Sequence, residues 1–261
     1  MLRNLKDIEL CTITATDGDI GQVKDLYFDD QSWVVRYLVV ETGSWLSSRK
    51  VLVSPISIEK ADGSPHTIRV RITKEQVEKS PDIDTEKPVS RQHEVQFLGY
   101  YGYPGYWGGS SLWGSGMVPM ATYSGYAGMP GGVDEEVKTV EGDPHLRSCE
   151  AVIGYHIKAT DGEVGHVDEI IIDEETWAVR YLVVNTSNWW VGHKVLIAPQ
   201  WIEAVNWSDQ TVTVDLSRES VKEAPPYDAT QVVKRPSESS LYSHYGRPPY
   251  WAVASTLERE I

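Results

Sequence analysis

The alternation of hydrophobic and polar positions forms one pattern that the chain writes twice. Trp33-Val34-Val35-Arg36-Tyr37-Leu38-Val39-Val40 is a run of aromatic and β-branched residues broken by a single charge, and it returns as Trp177-Ala178-Val179-Arg180-Tyr181-Leu182-Val183-Val184. With no Gly, Pro or turn former inside it and apolar residues at both parities, such a run predicts a strand buried on both faces. Ahead of it, Ile20 to Phe28 alternates apolar and polar positions, the mark of a half-buried strand. Asp17-Gly18 and Asp161-Gly162 are tight-turn dipeptides. Short strands are expected at about Lys50 to Val53, Ile56 to Lys60 and Thr67 to Ile72, with a turn at Asp62-Gly63-Ser64. Thr73 then precedes Gln76 at capping-box spacing, which predicts a short helix over Lys74 to Lys79 stopped at Pro81. Its copy runs from Ser217 to Glu223, with Pro225 as the stop.

Adding 144 to a position in the first half gives its partner in the second, and no gap is needed between about residues 12 and 107. Gly21 meets Gly165, Asp29 meets Asp173, Pro55 meets Pro199, and even Leu2-Arg3 falls on Leu146-Arg147. This is a tandem duplication of a whole unit. It divides the chain into a first repeat with an aromatic tail (1–107), a Gly/Ser/Met-rich connector (108–144) and a second repeat with an aromatic tail (145–261). Five or six short strands with one terminal helix argue for an all-β fold of two small barrels, since closing a sheet removes its exposed edges. A duplicated module commonly fuses a former homodimer, so the barrels or their tails are expected to associate with each other, within the chain or between copies.

The Asp-Gly turn, the string Ile20-Gly21-Gln22-Val23-Lys24-Asp25-Leu26-Tyr27-Phe28-Asp29 and the strand Trp33 to Val40 together resemble the PRC-barrel family. The second copy carries the same pattern from Val164 to Asp173 and from Trp177 to Val184. The resemblance implies a compact β-barrel adaptor that serves unrelated tasks and has no shared catalytic residues; no metal or cofactor is expected. The tail beyond Ser80 looks like that of a bacterial stand-alone subgroup of the family.

Charge narrows the partners. A formal net charge of −14, with no Lys/Arg cluster to interrupt it, repels phosphate backbones and disfavours nucleic acid. No apolar run approaches the ~18 residues of a membrane span, and the N-terminus lacks the pattern of a signal peptide, so a cytoplasmic location is expected. Cys11 and Cys149 do not occupy equivalent places in the two repeats and read as buried, reduced thiols.

Candidate chemistry is sparse. None of the seven histidines meets another at the repeat offset, which argues against a duplicated His-ligated metal or His base. Among the recurring carboxylates, Asp17/Asp161 and Asp29/Asp173 suit turn formation, and one acid is expected to pair with the strand arginine. Arg36 and Arg180 are the only charges in the two buried strands and must be paired or reach solvent. Ten Trp and fourteen Tyr against two Phe favour contact surfaces over a dry core. The tails concentrate them: Tyr101, Tyr103, Tyr106 and Trp107 in the first, Tyr245, Tyr250 and Trp251 in the second. These rings either pack on a barrel or form a docking epitope, and with Arg36 and Arg180 they are the candidate interaction residues. The resulting expectation is a non-enzymatic adaptor that binds proteins, in stress response or at a membrane-associated complex. A small-ligand or cation site between the barrels is the alternative, and a ribosome-assembly role is a third.

Overall fold

The computed structural model describes residues 1–59, 66–81, 89–107, 109–120, 145–186 and 193–252. The first repeat contains β1 (Leu2–Asn4), α1 (Leu5–Glu9), β2 (Thr12–Ala15), β3 (Gly18–Asp29), β4 (Val34–Thr42), β5 (Lys50–Val53), β6 (Thr67–Arg69), α2 (Lys74–Glu78) and α3 (Arg91–Tyr101). The second contains β7 (Leu146–Ser148), α4 (Cys149–Val152), β8 (His156–Ala159), β9 (Gly162–Asp173), β10 (Val179–Asn185), β11 (Lys194–Ile197), β12 (Ile202–Asn206), β13 (Thr211–Val214), α5 (Arg218–Lys222) and α6 (Arg235–His244). The expected turn at Asp62-Gly63-Ser64, residues 82–88 of the first tail and residues 121–144 of the expected connector lie outside the described residues.

The chain divides into two compact units whose boundaries do not coincide with the repeats. The N-unit holds Leu5–Ala151 and Asp173–Ala178; the C-unit holds Met1–Asn4, Val152–Ile172 and Val179–Ile261. The N-unit sheet has strand order β5-β4-β3-β2-β6, and β7 adds to β3. β3 makes this possible by its length. Its first half pairs antiparallel with β2, and its last three residues, Tyr27 to Asp29, pair with Ser148 to Leu146. The C-unit sheet, ordered β11-β10-β9-β8-β13-β12, takes β1 onto β9 in the same way. Each sheet thus carries the first strand of the other repeat, a reciprocal exchange.

Two expectations need correction. The sheets are open ladders and not closed barrels: β5 and β6 stand at opposite ends of one order, β11 and β12 of the other. The fold is mostly β but not all-β, since helices take about a quarter of it. The expected strand at Ile56 to Lys60 begins as a 3-10 turn, Pro55–Ser57, with the Ser54 hydroxyl capping the Ile56 N–H, and only Ile58 bridges to Val70.

Other sequence features act as expected. Thr73 and Gln76 form the capping box of α2, and Ser217 caps α5. Asp17 does more than shape a turn: its carboxylate accepts the Lys74 N–H at the start of α2 at 2.8 Å, and Asp161 does the same for Arg218 at 2.7 Å. Asp29 accepts the N–H groups of Gln31 and Ser32 in an Asx turn. That turn leaves Trp33 left-handed (φ 55°), as its copy leaves Trp177 (φ 58°), so the strands begin after the tryptophans. A bulky residue rarely adopts this conformation, and its recurrence marks the turn as a built part of the repeat. Gly21 and Gly165 sit where β3 and β9 press on their neighbours. A Cβ on Gly21 would lie 2.0 Å from the Glu41 carbonyl oxygen, and one on Gly165 2.1 Å from that of Asn185.

Candidate functional site

The aromatic tails turn back onto the sheets of their own units. In the N-unit, Ser90 caps α3 and brings Glu94, Phe97 and Leu98 onto one buried stripe. Phe97 meets the Tyr37 ring of β4 edge-on at 5.2 Å. All residues from Val34 to Val40 are buried. The face of this strand that carries Tyr37 is therefore covered by the chain's own tail.

Glu94 is the centre of the arrangement. Its carboxylate is buried and accepts hydrogen bonds from the hydroxyls of Tyr37, at 3.3 Å, and Tyr106. Arg91 lies 3.2 Å and His145 2.9 Å from its other oxygen. A buried carboxylate is costly unless paired and hydrogen-bonded; here Oε1 takes both tyrosine hydroxyls, while Oε2 lies within ion-pair distance of Arg91 without a hydrogen bond of its own. Burial, then the nearby Glu94 charge, push the Tyr37 and Tyr106 hydroxyls well above the usual phenol range, so both remain donors.

Arg36 completes the cluster. Its guanidinium lies 3.8 Å from the Tyr106 ring centre and 4.8 Å from that of Trp113. It donates to the Leu112 carbonyl at 2.6 Å and the Ser32 hydroxyl at 3.0 Å, and lies 3.5 Å from Asp29. The expected acid partner is present, but most of the charge is held by rings and neutral oxygens. Burial nevertheless draws its proton affinity down. Trp113 belongs to the stretch read as connector. Residues 109–120 carry two β-bridges, Ser111 to Gly114 and Trp113 to Gly116, and the Trp113 indole donates to the Thr176 carbonyl at 2.8 Å.

The C-unit repeats the Glu, Tyr, Arg and Trp of the tail and strand at the offset of 144, without equivalents of Trp113 and His145. Glu238 on α6 is buried and accepts from Tyr181 at 2.8 Å and Tyr250 at 3.1 Å. Arg180 lies 4.0 Å from the Tyr250 ring, and Arg235 pairs with Glu238 at 3.2 Å while covering Trp251 at 4.1 Å. Arg91 lies over Trp107 likewise, at 4.5 Å. Arg36, Tyr106 and Trp107 therefore gather at one place in the N-unit, and Arg180, Tyr250 and Trp251 at its equivalent in the C-unit. Tyr101 and Tyr103 stack on each other at 5.4 Å elsewhere in the N-unit, and Tyr245 lies against Trp201 at 4.7 Å. Sequence reasoning misses Glu94 and Glu238. A signal for them exists all the same: an identical carboxylate at the repeat offset, three residues before an apolar pair.

Two stretches of the chain, residues 3–77 and 149–221, match the family model of the PRC-barrel domain. The chain belongs to the PRC-barrel family. Both matches end before α3 and α6, so in this PRC-barrel protein the Glu94 and Glu238 clusters lie on tails outside the matched domain. No curated protein matches the chain. Among the described residues, no helix is long and apolar enough to cross a membrane, and no cluster of His, Cys, Asp and Glu could hold a metal ion.

One further acidic group has a measurable consequence. Burial, then the charges of Asp25 and Glu150, raise the Glu9 carboxyl in the N-unit from 4.5 to about 7. The fold holds this proton more tightly than the unfolded chain does. Its contribution is therefore full below about pH 4.5 and is lost as pH rises through about 7. Glu9→Gln is expected to raise the melting temperature by a few degrees at pH 8, with little change at pH 4.5, in thermal melts followed by circular dichroism.

Proposed function

We infer that this PRC-barrel protein is a non-enzymatic adaptor whose partner is another protein. The observation that carries the reading is where apolar surface remains once the tails have folded back. Of six large apolar side chains exposed among the described residues, three fall in one short stretch of the N-unit: Tyr100 (41% exposed), Met117 (48%) and Met120 (60%). Methionine adapts to irregular partner surfaces, and tyrosine is a frequent interface anchor. Buried carboxylates support the same reading, because Glu94 and Glu238 are enclosed by tyrosines and arginines of their own units. The net charge of −14 favours a basic or neutral protein surface over nucleic acid as the partner. In this reading the adaptor works in the cytoplasm, in stress response or at a membrane-associated complex, and a second copy of the chain is a further partner.

Affinity capture from the source cell with tagged full-length chain, followed by reconstitution of each captured protein with the purified chain, tests the reading. The paired change Met117→Asp and Met120→Asp lies on exposed side chains and is expected to abolish reconstituted binding while leaving the melting temperature unchanged. Undiminished binding by that variant would remove the support for this surface.

A further inference from the structure

The two repeats differ sharply at one pair of equivalent positions. In the C-unit, Trp201 on the 3-10 turn before β12 is buried (3% exposed), and its indole lies 4.7 Å from the Tyr245 ring and 5.3 Å from the Tyr242 ring. In the N-unit the position belongs to Ser57, and Tyr101 stands where the C-unit has Tyr245. The side chain that fills this place in one repeat is missing from the other. An open cavity of about 170 Å³ remains, lined by Ile56, Ser57, Ile72, Gln76, Tyr101 and Tyr103 together with Arg71. A cavity of ~150 Å³ lined by apolar groups suffices to hold benzene.

The rim differs in the same sense. In the C-unit, Asp215 and Arg247 occupy the positions of Arg71 and Tyr103, and they close on each other as an ion pair at 2.5 Å. In the N-unit, Arg71 has no carboxylate partner among the described residues; it is exposed and donates from one Nη to the Ile58 carbonyl at 3.2 Å. A guanidinium has five N–H donors in a fork that matches a carboxylate, so most of its capacity is unspent. Tyr101 and Tyr103, with planes 13° apart, supply flat aromatic wall.

We propose that the N-unit pocket binds a small planar aromatic carboxylate, whose ring takes the space that an indole fills in the C-unit and whose acid group pairs with Arg71. The site lies within one unit, is independent of the adaptor surface at Met117 and Met120, and has no counterpart in the C-unit, where the chain supplies its own indole.

Isothermal titration calorimetry of the full chain with indole-3-carboxylate, and separately with indole, tests the proposal. Indole-3-carboxylate is expected to bind at one site per chain with a millimolar or lower dissociation constant, and indole more weakly. Ser57→Trp, which refills the cavity, is expected to abolish both. Should Ser57→Trp alone misfold because Tyr103 crowds the new ring, Ser57→Trp with Tyr103→Arg reproduces the C-unit pair and serves in its place. Arg71→Gln, at an exposed position, is expected to weaken the carboxylate about tenfold and leave indole unchanged. The proposal is overturned by absence of saturable binding, by wild-type affinity in the refilled variants, or by an Arg71→Gln protein that still prefers the carboxylate.

Discussion

Replacing Glu94 by alanine is expected to destabilise the N-unit by about 3–5 kcal/mol, the cost of breaking a buried charge cluster by removing one partner. The loss leaves the Tyr37 hydroxyl without its acceptor, the Tyr106 hydroxyl with the His145 ring nitrogen at 3.2 Å as its remaining partner, and Arg91 without its acid. Each orphaned buried group carries its own desolvation cost, so the effect exceeds that of one hydrogen bond. Glu94→Gln keeps the shape and an acceptor oxygen and is expected to lose about 1.5–3 kcal/mol, the share of bonds that depended on charge. Glu238→Ala should act on the C-unit by the same logic through Tyr181 and Tyr250. Urea denaturation followed by circular dichroism measures all three. A Glu94→Ala protein within about 1 kcal/mol of wild type, the net worth of a single ordinary hydrogen bond, would mean that the tail is not held by this carboxylate.

Gly165→Ala is expected to prevent accumulation of soluble folded protein. Its new Cβ would meet the Asn185 carbonyl oxygen at 2.1 Å and the Thr186 Cα at 3.1 Å, both backbone atoms, and the residue has φ +148°. Neither obstacle can be relieved by turning a side chain. Overpacking costs about 1–3 kcal/mol, and the backbone conformation adds roughly 1–3 kcal/mol more, which together reach the lower end of the ~5–15 kcal/mol stability of an ordinary domain. Gly99 provides the contrast. It lies inside α3 with nothing within 4 Å of where a Cβ would lie, so Gly99→Ala is expected to stabilise by about 0.5–1 kcal/mol through helix propensity. Soluble yield and melting temperature, measured on both variants together, separate steric demand from a general intolerance of substitution.

Glycine positions also show how far the sequence is legible. Gly21 and Gly165 stand out as a repeated glycine inside an alternating strand, a position that signals close backbone approach. The strands, turns and α2 and α5 are legible because each is set by neighbours in sequence: a period of two, an Asp-Gly pair, a Thr-x-x-Gln cap. The tail helices are not, because Gly, Pro and Tyr around them mask a short buried stripe, in α3 that of Glu94, Phe97 and Leu98. Their stability comes from the sheet they land on, and local composition cannot report it. Barrel closure fails for a related reason. The pattern predicts strands but does not say which edges meet, and Leu2–Asn4 and Leu146–Ser148 each pair in the sheet of the other repeat. That Arg36 needs partners is plain from its place in an apolar strand. That those partners are Tyr106 and Trp113 follows from the path of the tail, which no spacing rule encodes.

The exchanged strands also govern the order in which the chain can fold. Phe28 pairs with Arg147, a separation of 119 residues (147 − 28), and β1 must wait for β9, which begins at Gly162. During synthesis at ~5–20 residues per second, the first repeat therefore emerges with the end of β3 unpaired for several seconds. Long-range pairings of this kind also slow the final search. The N-unit sheet cannot be completed before β7 has left the ribosome, nor the C-unit sheet before β13 has, so the nascent chain carries an unfinished edge through a large part of its own translation.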